Sequence, residues 1–263
     1  MAGTTKRQRN REGRMSLREH LRELRKRLFL AALGLVAGTV AGWFLYYLVW
    51  DALRAPVDAI AEARNAVLTY PNVTSGFDLH FQIAFFVGVF VSSPVWLYQI
   101  FAFLVPGLTR REKGYTFGFF FTAVPLFLAG CAAGWFVLPH IVALMTSFVP
   151  QQDTAYLVAG DYFMFVFKLV IAVGVAFVLP VFLVLFNFMG IVSAKSILKS
   201  WRVAMLLIIL FTAIATPAAD VVSMFLLAIP MVLLYFAAAG VAALHDRRAA
   251  RRQSALLAAE LPT

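Results

Sequence analysis

The sequence predicts an all-α polytopic membrane protein with six transmembrane helices. Of its 263 residues, 62% are hydrophobic and only 14% are charged, whereas an ordinary soluble domain is roughly 25% charged. The mean hydropathy is +0.83, and the apolar residues gather into six runs separated by polar segments. A soluble fold of this size has no interior that could hide so much apolar surface, so the composition indicates a bilayer.

Four of the apolar runs are long enough to span on their own, because a spanning helix needs roughly 20 residues. The fifth run extends about 22 Å at 1.5 Å per residue, against roughly 30 Å of hydrocarbon. A tight turn containing Pro217 and Asp220 joins it to the sixth, so we expect a sunken hairpin or a locally thinned bilayer. The predicted spans are residues 28–50, 79–101, 115–138, 162–189, 201–215 and 221–244.

The lysines and arginines predict the orientation of the chain. Residues 1–27 hold ten of them, the second-to-third connection three, the fourth-to-fifth connection three and the tail four, which makes 20 on one side. The other side has only Arg54 and Arg64, while Lys168 lies within a span. The positive-inside bias therefore predicts that both termini are cytoplasmic. Because the cations lie beside the apolar runs, the membrane orientation explains the net charge of +10, and we infer no nucleic-acid partner.

The chain divides into a bundle and two tails. We predict a disordered basic tail at 1–14, a six-helix transmembrane domain at 15–246 and a cytoplasmic tail at 247–263, mobile from about residue 250. The outer loop at 51–77 is long and polar enough to form its own short helices, around 57–65.

The side-chain inventory predicts that this chain is not an enzyme. The four histidines are not at metal-ligand spacing, and Cys131 is the single cysteine, so we expect no metal site and no cofactor. No phosphate-binding loop occurs, and no Ser or Cys nucleophile sits beside a plausible base.

An amphipathic helix precedes the first span. Ser16 and Glu19 match a capping box, and leucines recur at helical spacing through residues 17–28. We expect this helix to lie on the inner membrane surface. Glu23 has two interpretations: an ordinary i,i+4 ion pair with Arg27, or a binding carboxylate.

Acidic residues also stand at two other helix starts. Glu112 follows the Pro106-Gly107 turn and is either a capping carboxylate or a binding group. Asp220 precedes the sixth span and suits an N-cap.

Lys168 lies about two turns inside the fourth span, at a similar depth to Asp220. A lysine at mid-bilayer costs roughly 2.5–3.5 kcal/mol, so we predict a Lys168–Asp220 pair. The alternative is that Lys168 snorkels to the outer interface unpaired.

Prolines interrupt several of the predicted spans. Pro94, Pro125 and Pro180 each remove a backbone donor and are expected to bend their helices. Bent helices predict a concave, cup-like bundle.

These motifs, in chain order, resemble the TatC family, the signal-recognising core subunit of the twin-arginine protein translocase. Residues 20–28 read HLRELRKRL, which is similar to the family's HLxELRxRL start, and the resemblance extends from about residue 16 to 245. The chain departs from the family at Val178 and Met224, where many members have Glu and Gln. The other matching segments are Ala55-Pro56, Ser93-Pro94-Val95, Tyr98-Gln99, residues 102–108 with Glu112, 189–191, Thr216-Pro217 with Asp220, and 226–230.

The resemblance implies a receptor for twin-arginine signal peptides at the cytoplasmic face of the bacterial cytoplasmic membrane. It implies that Glu23 and Glu112 contact the arginine pair, with Arg25, Arg27 and Phe103 in the same region. TatA/TatB-type single-span subunits, self-association in a larger complex and the proton-motive force complete the implied machine. The positions expected to be structural or transport-related are Pro56, Pro94, Gln99, Pro106, Asp220 and Lys168, although Lys168 has no role in the family that we can assign.

Physical chemistry supports this assignment separately. A guanidinium is best recognised by a carboxylate in a bidentate fork, so two adjacent arginines call for two carboxylates, and Glu23 and Glu112 are the obvious pair. A folded 100-residue cargo is above roughly 30 Å across, and six helices of about 10 Å diameter cannot surround it. The chain is therefore expected to act as a receptor and assembly platform.

Two other classes of function stay open on the sequence. A proton-coupled small-molecule transporter would use Lys168 and Asp220 at a midplane site and would show an inverted repeat, of which we find none. A purely structural scaffold would leave Glu23 and Glu112 dispensable.

Overall fold

The structure is a computed structural model, and it describes residues 17–64, 67–104, 113–148, 150, 156–216 and 220–260. Within these ranges the chain forms nine helices and two three-residue strands. In chain order they are α1 (Leu17–Phe44), α2 (Tyr46–Arg64), β1 (Val67–Thr69), α3 (Ser75–Val91), α4 (Ser93–Leu104), α5 (Lys113–Ser147), β2 (Tyr156–Val158), α6 (Ala159–Phe188), α7 (Ala194–Lys199), α8 (Trp201–Ala215) and α9 (Val221–Glu260).

The predicted all-α membrane fold is confirmed. Among the described residues, α1, α5, α6 and α9 are long and apolar enough to cross a bilayer, α3 and α4 together make a fifth bent span, and α8 is a shorter apolar helix. The predicted short fifth span is α8 itself, with the bounds that the sequence indicated. The first predicted span differs, because it divides between α1 and α2 at Leu45.

The second span is broken where Pro94 stands. α3 and α4 meet at Ser92 with a bend of 54°, and Pro94 is the second residue of α4, where its missing N–H is tolerated. The indole N–H of Trp96 donates to the carbonyl oxygen of Val89 across the bend at 3.0 Å. The predicted proline bend is thus confirmed here. Pro125, Pro139, Pro180 and Pro230 lie inside continuous helices.

α6 is the central helix of the bundle and packs against α3, α5, α8 and α9. Its core partners are largely aromatic: Phe101 of α4 stacks on Phe182 with 4.7 Å between ring centroids, and Phe86 of α3 stacks on Phe167 at 4.2 Å. These contacts tie the broken span to the central helix.

α2 and the two short strands lie at the end of the bundle where α1 ends and α6 begins. Residues 57–64 of the predicted 57–65 helix are helical, but as part of the longer α2, which begins at Tyr46; Asn65 lies outside the described residues. β1 and β2 pair in parallel, with Leu68 opposite Leu157. Sequence reasoning missed these strands because three residues are too few to show an alternating pattern.

Two predictions about the chain ends stay predictions. The amphipathic segment continues into the first span, because α1 runs without interruption from Leu17 to Phe44. The helix of the last span extends into the predicted mobile tail, since α9 continues to Glu260. Residues 1–14 and Ser16 lie outside the described residues.

α1 and α3 approach each other closely through glycines. Gly34, Gly38 and Gly42 lie four residues apart on one face of α1. A Cβ added at Gly38 would stand 2.6 Å from the carbonyl oxygen of Gly88, and one at Gly34 would stand 2.7 Å from Cγ1 of Val95. The helices can therefore keep this separation only with glycine at these positions.

We predict that Gly38→Leu lowers the stability of the protein by about 2 kcal/mol, because the added side chain has to separate two backbones. Thermal unfolding in detergent measures the effect. Ala37→Leu is the matched control, since Ala37 is exposed on the same helix. Equal stability of the two variants would show that the glycine contact is not needed.

Candidate functional site

The faces of α1 and α4 meet in a polar cluster that we call the Glu23 cluster: His20, Glu23 and Arg27 of α1 with Gln99 and Phe103 of α4. The α1 residues are spaced three and four apart and the α4 residues four apart, so each set shares one helix face. The Arg27 guanidinium bridges the helices: its Nη1 donates to Oε1 of Gln99 at 3.4 Å.

The predicted ion pair between Glu23 and Arg27 is confirmed. Nε of Arg27 donates to Oε1 of Glu23 at 2.8 Å, and Nη2 lies 2.6 Å from the same oxygen. The two side chains retain 28% and 22% of their exposure, so the pair is half-buried but open to solvent. Both contacts use Oε1, which leaves Oε2 able to accept from an incoming donor.

An aromatic contact completes the cluster. The rings of His20 and Phe103 lie with 4.6 Å between centroids and are tilted by 31° to each other. His20 was not among the site residues predicted from sequence, although it stands three positions before Glu23 and so on the same face. That spacing was the signal that could have found it.

Arg25 does not join this cluster. It lies two positions from Glu23, which turns it about 200° around the helix, and it is exposed. Arg22 and Lys26 are exposed as well. These cations give the end of α1 a positive potential without contacting the carboxylate.

Glu112 and Pro106 lie outside the described residues, so the predicted pairing of two carboxylates stays a prediction. Pro56 lies within α2, remote in the fold from the Glu23 cluster. Pro94 is at the bend between α3 and α4.

The predicted Lys168–Asp220 pair is wrong. Asp220 is 1% exposed, and its Oδ1 accepts from the backbone N–H of Ser223 at 2.9 Å, which caps α9. Lys168 is on the exposed face of α6, and the ion pairs of the described residues do not include it. The buried Asp220 carboxylate caps α9, whereas the Lys168 side chain is exposed. Asp220 is therefore an N-cap, as the sequence predicted.

A further polar contact escaped sequence reasoning. Asp246 of α9 accepts from Nδ2 of Asn187 at 2.9 Å and from the backbone N–H of Ala194 at 2.8 Å. It therefore ties the ends of α6 and α7 to α9. No local pattern predicts this contact, because Asp246 is 59 residues from Asn187 and 52 residues from Ala194 in the chain.

We predict that Lys168 and Asp220 act independently. In a double-mutant cycle of Lys168→Gln and Asp220→Asn, the unfolding free-energy changes should add to within about 0.5 kcal/mol, because the groups share no contact. Thermal unfolding in detergent measures each variant. A coupling free energy well above that value would show that the two side chains interact.

These features define a class of protein: a polytopic α-helical membrane protein with a polar cluster at one end of a helix pair. The family model for TatC, the Sec-independent protein translocase protein, matches residues 19–230. The chain belongs to the TatC family and is a protein translocase component, not an enzyme.

Relatives and solved structures agree with this assignment. The chain is 48% identical over 244 residues to the TatC protein of Xylanimonas cellulosilytica, covering 92% of this chain and 88% of that one. It is 38% identical over 250 residues to the TatC protein of Rothia mucilaginosa, covering 94% and 85%. A crystal structure of the twin arginine translocase receptor TatC in DDM superposes with a TM-score of 0.72 at 28% identity, covering 85% of this chain and 99% of that one.

Proposed function

We propose that this chain is the receptor subunit of a twin-arginine translocase in a bacterial cytoplasmic membrane. It binds Arg-Arg signal peptides at the cytoplasmic end of α1 and α4, and both of its termini face the cytoplasm. The observation that carries the proposal is the half-buried Glu23 carboxylate, which is held by Arg27 beside α4 and whose Oε2 accepts no hydrogen bond among those of the described residues.

The carboxylate suits a guanidinium better than an ammonium. A planar fork can donate two parallel hydrogen bonds to a carboxylate, whereas lysine presents a compact point charge. Arg27 already donates to Oε1 of Glu23, so an incoming arginine uses Oε2 or displaces Arg27. The displaced Arg27 keeps Gln99 as an acceptor.

The rest of the cluster extends the binding surface. Guanidinium groups stack on aromatic faces, and the His20 and Phe103 rings, which contact each other, provide such a face near the carboxylate. Glu112, which follows α4 in the chain, supplies the second carboxylate for the second arginine in this proposal. Arg25 acts through the local potential rather than by contact.

Export of folded cargo requires further subunits. Folded cargo is wider than a six-helix bundle can enclose and stay packed. TatA/TatB-type single-span subunits and further copies of the chain form the passage in this proposal, and the proton-motive force drives it.

We predict that Glu23→Gln weakens binding of an Arg-Arg signal peptide about 10- to 100-fold, because a charge-assisted hydrogen bond contributes about 1.5–3 kcal/mol. Glu23→Gln with Glu112→Gln should weaken it further. The measurement is the affinity of a fluorescent signal peptide for the purified full chain in lipid nanodiscs.

Two controls make this test specific. Glu19→Gln makes the same charge change on an exposed position of α1, and a Lys-Lys peptide keeps the charge of the ligand. We expect the first to bind Arg-Arg peptide nearly normally and the second to bind wild type weakly. Unchanged affinity in the double Glu variant would refute the receptor site.

A further inference from the structure

An apolar groove lies between α6, α7, α8 and α9, on different helices from the Glu23 cluster. Its cavity volume is about 450 Å³. α6 lines it from Ala176 to Phe186, which is about 15 Å along the helix axis. Val203 and Leu207 of α8 form the facing wall. The groove therefore has the shape of an extended hydrocarbon segment.

α7 forms one end of the groove and is fastened to α9. Tyr235 of α9 lines the groove, and its hydroxyl donates to the carbonyl oxygen of Ile197 at 2.6 Å. The contacts of Asp246 with Ala194 and Asn187 fasten the start of α7 from the other side. These contacts hold the α7 end of the groove against α6 and α9.

The same end carries unpaired positive charge. Ser196 and Ser200 line the groove, and the exposed Lys195, Lys199 and Arg202 adjoin them in the chain. In the ranges that the structure describes, the ion pairs involve none of these three cations. The charge distribution of the chain predicts that this end is cytoplasmic.

We propose that the groove binds one anionic phospholipid, with an acyl chain between α6 and α8 and the phosphate at Lys195, Lys199 and Arg202. Basic pockets between membrane helices on the cytoplasmic side suit anionic headgroups. Trp201 is placed as an interfacial residue, and the Arg202 guanidinium lies 5.7 Å from the centre of its ring.

The short α8 explains why lipid occupies this place. α8 extends about 22 Å while the hydrocarbon is roughly 30 Å thick. The bilayer next to α8 is therefore locally mismatched, and a lipid held in the groove fills the gap beside the short helix. An apolar partner helix would leave the three cations unused, whereas an anionic headgroup pairs with them.

Native mass spectrometry of the full chain in detergent tests the proposal, with dioleoyl phosphatidylglycerol, dioleoyl phosphatidylcholine and glycerol phosphate as probes. We expect one tightly bound phosphatidylglycerol, weaker phosphatidylcholine and no comparable binding of glycerol phosphate. Each cation near an anionic lipid contributes about a fivefold factor, so neutralising all three should weaken phosphatidylglycerol binding about 100-fold. The test variant is Lys195→Gln, Lys199→Gln and Arg202→Gln; the matched control, on exposed positions of α9, is Arg247→Gln, Arg248→Gln and Arg251→Gln.

Several results would overturn the proposal. Equal affinity for phosphatidylcholine, or an equal loss in the control variant, would mean that the three cations do not select the lipid. Strong binding of glycerol phosphate alone would mean an anion site without the groove. A dimer that Ala204→Phe dissociates, with lipid binding unchanged, would assign the groove to a second copy of the chain.

A labelling experiment on the wild type keeps the acyl-chain position testable if Ala204→Phe does not fold. Phosphatidylglycerol with a photoreactive group in its acyl chain should label the groove walls, at residues such as Leu179 and Leu207. Labelling confined to other helices would contradict the assigned position. Signal-peptide binding to Glu23 is a separate measurement, so failure of either proposal is distinguishable from failure of the other.

Discussion

The close antiparallel packing of α1 against the broken α3–α4 span is the constraint on which the Glu23 cluster depends. Gly38 lies against Gly88 and Gly34 against Val95. Further towards the start of α1 and the end of α4, the same packing places Arg27 beside Gln99. It also places His20 beside Phe103. The glycines set the helix separation and register, and the polar cluster follows from them.

The bend at Pro94 directs the last turns of α4 towards the start of α1. A straight span would carry α4 along the direction of α3, whereas the 54° change at Ser92 redirects its last turns. Gln99 and Phe103 on those turns then face His20 and Arg27. Stacking of Phe101 on Phe182 anchors the redirected helix to the central α6. The recognition surface is thus supported by the core rather than by a loop.

The α6–α9 side of the molecule is built on different interactions. Asp246 fastens α7 across the end of α6, and the short α8 stands beside an apolar groove with cations at its mouth. One side of the protein therefore carries the Glu23 carboxylate, the group proposed to bind a cationic peptide, and the other carries the cations proposed to bind an anionic lipid. The two sites use separate helices and opposite charges.

The sequence by itself determined the membrane class, the six apolar runs, the short α8, the bend at Pro94 and the Glu23–Arg27 pair, because composition, run length and local spacing govern these features. Only the tertiary structure decided which side chains meet across helices. It joined His20 to Phe103 and Arg27 to Gln99, separated Lys168 from Asp220 and revealed Asp246 at α7, since these contacts depend on helix rotation and register that no local pattern encodes.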